Sequence, residues 1–393
     1  MNLRQLFLQH VAQTSTAPLA LEIVRAEGSM LYGAQGEEWI DGIGGISVAN
    51  VGHRHPAVVE AVRKQLDAYL HVMVYGEFVQ SPQVRYAQAL AAHLPSHLSS
   101  VYFTNSGAEA VEGAMKLAKR VTGRTGIIAF QDSYHGSTQG ALSIIGSEYW
   151  RNAYRPLLPG VHHAVYNDLS MIDRISTDTA CVIAETVQAE AGVRPPSKEW
   201  LQALRARCTE TGTLLILDEI QAGFGRTGSL WAFTQFGIEP DVLLLGKALG
   251  GGMPLGAFIA RKDLMDHFAD APVLGHITTF GGHPVCCTAG LAGFEALLAE
   301  ALAEGAEAKG ALFGQLLRDV PGLQSISRCG LWLALRFDGF DSNKRIIDHC
   351  IAKGLLTDWF LFASDCLRIS PPLNISEDEI RRACSIIHSA ASS

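Results

Sequence analysis

Residues 214–247 read LLILDEIQAGFGRTGSLWAFTQFGIEPDVLLLGK, and the two ends of this stretch decide the fold. Leu214–Leu217 and Val242–Leu245 are short uninterrupted apolar runs, the pattern of strands covered on both faces of a parallel sheet. Each is followed by a charge that a buried strand does not tolerate. Asp218 comes directly after the first run, and Lys247 after the second with only Gly246 between. In open α/β sheets, ligands gather at the carboxyl ends of the strands. An anion and a cation at two such ends therefore read as parts of one site.

Outward from this stretch the same grammar repeats. Val101–Thr104 reads as a strand, followed by Asn105-Ser106-Gly107 and then a helix on which Ala110, Ala114 and Leu117 share one face. Gly126–Phe130 and Cys181–Ala184 read as buried strands, the second closed by Glu185, and Leu255–Ala260 follows the glycine-rich turn 250–252. Short apolar runs alternating with longer helical patterns predict an α/β fold: a mainly parallel central sheet with helices on both faces. From about Pro284 the pattern changes to long helices with brief strands at Trp332–Phe337 and Cys366–Ser370. At 393 residues the chain exceeds what one core usually serves. Residues 1–50 and 289–393 are expected to form a smaller α+β domain beside a large domain spanning 51–288.

Hydrophobic residues make up 48% of the chain and charged residues 18%, a globular composition. The net charge of -8 offers no basic footprint for nucleic acid. No uninterrupted apolar run reaches the length of a membrane span. In MNLRQLFLQHVAQT, Leu3, Leu6, Phe7 and Val11 recur at helical spacing among polar residues, which predicts an amphipathic helix and not a secretory signal. Eight cysteines include no C-x-x-C pair, and Cys181 and Cys286-Cys287 lie in apolar or small-residue runs. Buried free thiols are the expectation, with neither a disulfide framework nor a zinc site, in a cytoplasmic protein.

Four strand ends thus bring Asp218, Lys247, Ser106-Gly107 and Glu185 toward one crevice. A lysine amine is nucleophilic only when deprotonated, and burial depresses its pKa. A Ser-Gly turn opening a helix presents N–H groups and a positive dipole end to a phosphate. A carboxylate facing a pyridine nitrogen keeps it protonated, and an aromatic such as Tyr134 can stack on a planar ring. Singly, each has an ordinary reading: a surface lysine, a capping aspartate, a helix start. The joint pattern carries the inference.

Eight segments occur in order over about 320 residues: Gly52-His53-Arg54-His55-Pro56, N-S-G-A-E-A from Asn105, Y-H-G from Tyr134, E-T-V-Q-A-E-A-G-V from Glu185, D-E-I-Q-A-G-F-G-R-T-G from Asp218, G-K-A-L-G-G-G-M-P from Gly246, T-T-F-G-G from Thr278 and L-R-I-S-P-P-L from Leu367. With them the chain resembles the class III aminotransferases of pyridoxal-phosphate (PLP) fold type I, the group of acetylornithine, ornithine and other ω-aminotransferases. The resemblance implies that the large domain binds PLP, with Lys247 as the Schiff-base lysine and proton shuttle. It pairs Asp218 with the pyridine nitrogen and Gln221 with the ring hydroxyl, and sets Tyr134 and Ile220 on the two ring faces. Ser106, Gly107 and Ala108 match the phosphate loop, and His135, Glu185 and Thr278 match further cofactor positions. Thr279 matches a threonine that reaches the phosphate from the partner subunit, which implies a homodimer with shared active sites. Arg226 and Gly228 are expected to fix a loop, and His53 and His55 to be hydrogen-bonded loop residues with no metal.

Arg368 matches an arginine that grips the carboxylate of glutamate or 2-oxoglutarate as a bidentate fork, and Glu190 the gate that neutralises it when an ω-amino donor is present. Ile46 completes the expected substrate side. The resemblance therefore implies transfer from an ω-amino donor, acetylornithine-like or another terminal amine, to 2-oxoglutarate. Three departures bear on the donor. Where acetylornithine and ornithine enzymes have H-G-R-T, this chain has His135-Gly136-Ser137-Thr138, and a serine supplies no charged fork. Glu185-Thr186 replaces E-P, and Ala189-Glu190-Ala191 replaces G-E-G/A. Gly44-Gly45-Ile46 resembles the acetylornithine type and lacks the tyrosine of ornithine enzymes. Glu77, in the segment YGEFVQSP, is read as a solvated loop carboxylate, with contact to a cationic substrate end as the alternative. Other PLP reactions share this scaffold: an α-amino acid transaminase, a decarboxylase or an aminomutase, against the last of which the Glu190–Arg368 pair argues. A non-catalytic dimeric scaffold conflicts with the presence of Lys247, Asp218 and Gln221 together.

Overall fold

The structure is a computed structural model describing residues 2–393. Its centre is a seven-stranded sheet: β1 (Ser100–Thr104), β2 (Gly126–Phe130), β3 (Val161–Ala164), β4 (Thr179–Glu185), β5 (Leu214–Asp218), β6 (Val242–Leu245) and β7 (Gly256–Ala260). The order across the sheet is β1-β7-β6-β5-β4-β2-β3. β3, β2, β4, β5 and β6 are parallel neighbours, and β7 runs against both β6 and β1. Every residue of β4, β6 and β7 is buried, which is why these strands read as unbroken apolar runs.

Alternation sorts the side chains between two layers. Val182, Ala184, Leu215, Leu217, Leu243 and Leu245 join one core cluster; Cys181, Ile183, Ile216, Val242 and Leu244 join the other. The second is covered by helix α1 (Gly107–Thr122), which contributes Ala110, Val111, Ala114 and Leu117. A Cβ at Gly113 of α1 would come within 2.3 Å of the Phe258 ring, so this helix lies on β7 at a distance only glycine permits.

β3 was not among the expected strands, because VHHA is a polar edge sequence. At the N-terminus, Ile23–Glu27, Met30–Gly33 and Glu38–Asp41 form antiparallel pairs, and Leu355–Leu356 adds in parallel beside Glu38–Asp41. Early and late residues thus share one sheet. A third sheet joins Ser325–Arg328, Leu333–Arg336, Ala363–Ile369 and Trp359–Phe360. The helix Pro284–Ala299 runs unbroken through position 288. No single helix is long and apolar enough to cross a membrane among the described residues.

The helix Leu3–His10 begins with an Asn2–Gln5 capping box, yet it buries none of its residues and leaves Leu3, Leu8 and nearby Val11 exposed. His53 Nε2 lies 2.7 Å from Asp41, and His55 Nε2 lies 2.7 Å from Glu300. Arg226 is fully buried and donates to the carbonyls of Leu331 and Pro371 and to Asn50 Oδ1, tying its loop to three distant segments. All eight cysteines are unpaired, seven of them buried.

Candidate active site

Asp218 ends β5 with both carboxylate oxygens engaged: Oδ1 accepts the Ile220 N–H at 2.9 Å, and Oδ2 lies 2.7 Å from Nδ1 of His135. His135 is buried and its Nε2 has no partner. The ring belongs to a loop that Glu185 clamps from the end of β4. One Glu185 oxygen accepts the Tyr134 N–H at 2.7 Å, and the other accepts the Ala189 N–H at 2.6 Å. Burial, and then the charge of Asp218, push the Glu185 carboxyl well above the usual carboxylate range. Gly136 lets this loop reach helix α1, since a Cβ there would meet Ala108 Cβ at 2.6 Å and its φ is 120°.

Lys247 follows β6 in a left-handed conformation, φ 50°, which a side chain of its size rarely adopts. Burial pushes its amine below the ordinary lysine range; Glu190 pulls it back up, Arg368 adds to the lowering, and Asp218 and Glu185 raise it. At the start of α1, the Ser106 hydroxyl accepts the Glu109 N–H at 3.2 Å. The amides of Gly107 and Ala108, at the first helical positions, have no acceptor within the helix.

A cavity of about 340 Å³ collects these groups. Gly107, Ala108, Tyr134, Glu185, Asp218 and Lys247 line it, as do His135, Ser137, Ile220 and Gln221. The amide nitrogen of Gln221 is buried and has no hydrogen-bond partner. Ser137, exposed at the rim, lies 3.1 Å from the Tyr134 hydroxyl.

The other expected residues lie elsewhere. Arg368 and Glu190 are both buried and closed on each other, with Nη1 to Oε1 and Nη2 to Oε2 each 2.9 Å. Burial raises the Glu190 carboxyl, but the charge and hydrogen bonds of Arg368 outweigh it and hold the group low. The turn 44–47 packs against the segment that Lys247 opens, and Ile46 within it has φ 62°. Thr278 accepts a hydrogen bond from the Asn105 amide at 2.9 Å, and Thr279 is exposed, so neither lines the cavity of its own chain. Glu77 is exposed. Its neighbours Phe78 and Val79 line a surface depression with Thr278, away from Lys247.

Sequence reasoning placed His135 among cofactor contacts and missed its bond to Asp218, since the two are 83 residues apart. It also missed Asp358, whose Oδ1 accepts the Arg368 Nε–H at 2.8 Å. No group of three or more His, Cys, Asp or Glu side chains is placed to hold a metal among the described residues.

Residues 11–391 match the family model of class-III aminotransferases. The chain belongs to that family. It is 40% identical to the acetylornithine aminotransferase of Methanopyrus kandleri over 377 residues, 95% of this chain and 94% of that protein. It is 38% identical to the putrescine aminotransferase of Pectobacterium atrosepticum over 376 residues, covering 91% of this chain and 80% of the relative. Its fold is similar to that of the ornithine aminotransferase of Toxoplasma gondii, with a TM-score of 0.91 at 29% identity over 98% of this chain and 92% of that one. That structure contains PLP at partial occupancy in its active site.

The class-III aminotransferase described here is a PLP-dependent enzyme of fold type I. Its residues fit the cofactor. The cavity offers a lysine, a carboxylate fixed on two sides, an unpartnered amide donor and two free helix N–H groups.

Proposed function

We propose that this enzyme transfers the amino group of a terminal amine to 2-oxoglutarate, working in the cytoplasm as a homodimer with shared active sites. The closed Arg368–Glu190 pair carries the reading. A buried guanidinium facing an amine donor without a counter-charge is costly. Glu190 supplies that counter-charge, and its departure frees a fork shaped for a carboxylate. One pocket can then take two dissimilar substrates in turn. Ser137, where a second arginine would hold a far carboxylate, favours donors whose remote end carries no negative charge. The eight unpaired cysteines suit a reducing compartment.

PLP bound in the cavity supplies a carbonyl that captures amines and a ring that accepts electrons from the donor carbon. Lys247, its amine biased toward the neutral form by burial, is the residue that carries the cofactor and, once released, moves the proton at the donor carbon. Asp218, its carboxylate held in place by His135 and the Ile220 N–H, would face the ring nitrogen. Gln221 would offer its unpartnered N–H to the ring hydroxyl, Tyr134 and Ile220 would flank the ring, and the Gly107 and Ala108 amides, with Ser106 just before them in the chain, would hold the phosphate.

A donor panel against 2-oxoglutarate tests the substrate reading. Putrescine and other terminal amines without a remote carboxylate are expected to exceed α-amino acids other than glutamate by about tenfold or more in kcat/KM, about 1.4 kcal/mol in barrier, with N-acetylornithine, whose remote carboxylate meets Ser137, below putrescine. An α-amino acid such as alanine at the top of the panel would refute it.

Exposed Phe78, Val79, Ile277 and Phe280, next to Thr278 and Thr279, form an apolar face suited to a second copy of the chain. If Thr279 serves the partner's site, a heterodimer of Thr279→Ala and Lys247→Ala chains has one intact site and one doubly damaged site. Mixed and refolded chains should then recover about half of wild-type activity per heterodimer. No gain over the two impaired homodimers would mean that Thr279 acts within its own chain.

A further inference from the structure

Four consecutive residues, Thr357-Asp358-Trp359-Phe360, each touch Arg368. The Thr357 hydroxyl donates to the Arg368 carbonyl at 2.6 Å, and the Asp358 carbonyl accepts the Arg368 N–H at 2.9 Å. The Asp358 carboxylate accepts Nε–H at 2.8 Å, and the Trp359 carbonyl accepts from Nη2 at 3.1 Å. The Phe360 ring lies 4.4 Å from the guanidinium carbon. Glu190 occupies only the outer end, Nη1 and Nη2. The guanidinium therefore has one edge engaged by its own neighbourhood and one end engaged by the gate.

We propose that Thr357–Phe360 is a fixed socket for Arg368, with Asp358 the positioning residue that holds the Nε edge while the Nη1/Nη2 end exchanges Glu190 for the substrate carboxylate. The inference rests on the reading of Arg368 as the residue that receives the acceptor carboxylate. Both ligands of the exchangeable end need the same planar fork, and a fork free to rotate about its Nε bond would present it only part of the time. The charge count also stays constant: one cation and two carboxylates before the exchange, one cation and two carboxylates after. Burial pushes the Asp358 carboxyl up to about 6, with Arg368 pulling down and Glu190 pushing up, so it remains mostly ionised at neutral pH.

The test uses the holoenzyme and follows cofactor absorbance through single turnovers, with putrescine for the donor half and 2-oxoglutarate for the acceptor half. Asp358→Ala should raise the half-saturating 2-oxoglutarate concentration tenfold or more, while the donor half falls by less than threefold. Asp358→Asn keeps an oxygen for Nε–H and should stay within threefold of wild type in both. Unchanged 2-oxoglutarate use in Asp358→Ala, or equal losses in both halves, overturns the socket. If the alanine variant does not fold, Asp358→Glu moves the carboxylate by one methylene and should weaken 2-oxoglutarate about fivefold; no change there overturns it equally. Arg368→Ala separates this inference from the reading beneath it. Should Arg368→Ala weaken the acceptor half while Asp358→Ala does not, only the socket fails. Should Arg368→Ala leave the acceptor half intact, both fall together.

Discussion

Lys247→Ala is expected to abolish transamination while leaving a folded protein that still binds PLP. On the proposed mechanism, the substitution removes the covalent anchor and the proton shuttle together. A positioned acid–base group alone is worth about 10²–10⁴ in rate, so a loss above about 10³-fold, roughly 4 kcal/mol, is the expected floor. The fold should survive, because the remaining lining of the cavity is held without the lysine. Asp218 is fixed by His135 and the Ile220 N–H, and Tyr134 by Glu185. Alanine also retains the Cβ that already sits at φ 50°, so the backbone strain there is unchanged. Steady-state turnover, a melting curve and the absorbance of bound PLP measure the three parts separately. Turnover within tenfold of wild type would remove Lys247 from the centre of the mechanism.

The parts of this protein legible in sequence are those where burial leaves no choice of residue. LLIL and VLLL are apolar throughout because sheet and helices cover both their faces, and the charges that follow stand out for the same reason. The edge strand Val161–Ala164 needs no such run, since His162 is exposed and only Ala164 is buried. Ile23–Glu27 is exposed at four of five positions, so its pattern resembles a loop. In the cavity, residue types and their places at strand ends are readable one at a time, but partnerships are not. His135 and Asp218 meet through two separate strands, and no spacing predicts a bond across 83 residues. Asp358 reads as an ordinary acidic residue until the chain folds back ten positions and sets it against Nε of Arg368. Glu219, beside Asp218, is similarly opaque. Its carboxylate accepts the N–H groups of Ala232 and Phe233 and the hydroxyl of Thr186, which gives that departure from the family pattern a structural task.

Arg368→Ala should divide the two half-reactions. On the proposed reading, the guanidinium end vacated by Glu190 takes the 2-oxoglutarate carboxylate in the acceptor half, and removing it should cost about 2–5 kcal/mol in transition-state terms. With an amine donor such as putrescine, which has no carboxylate to hold, Arg368 serves only as the partner of Glu190. The donor half should then lose far less, although Glu190 is left buried without its cation. Part of that cost is relieved because Glu190 also accepts the Leu361 N–H at 3.0 Å, and because a carboxylate losing Arg368 can take up a proton as burial drives its pKa upward. The donor half should accordingly become more pH-dependent than in wild type, while the acceptor half is depressed at every pH. Single-turnover absorbance for each half, measured across pH, reports both behaviours. Equal damage to the two halves would mean that Arg368 also grips the donor. The enzyme would then handle α-amino acids at both stages, and the closed Glu190–Arg368 pair would be a structural ion pair with no part in choosing between substrates.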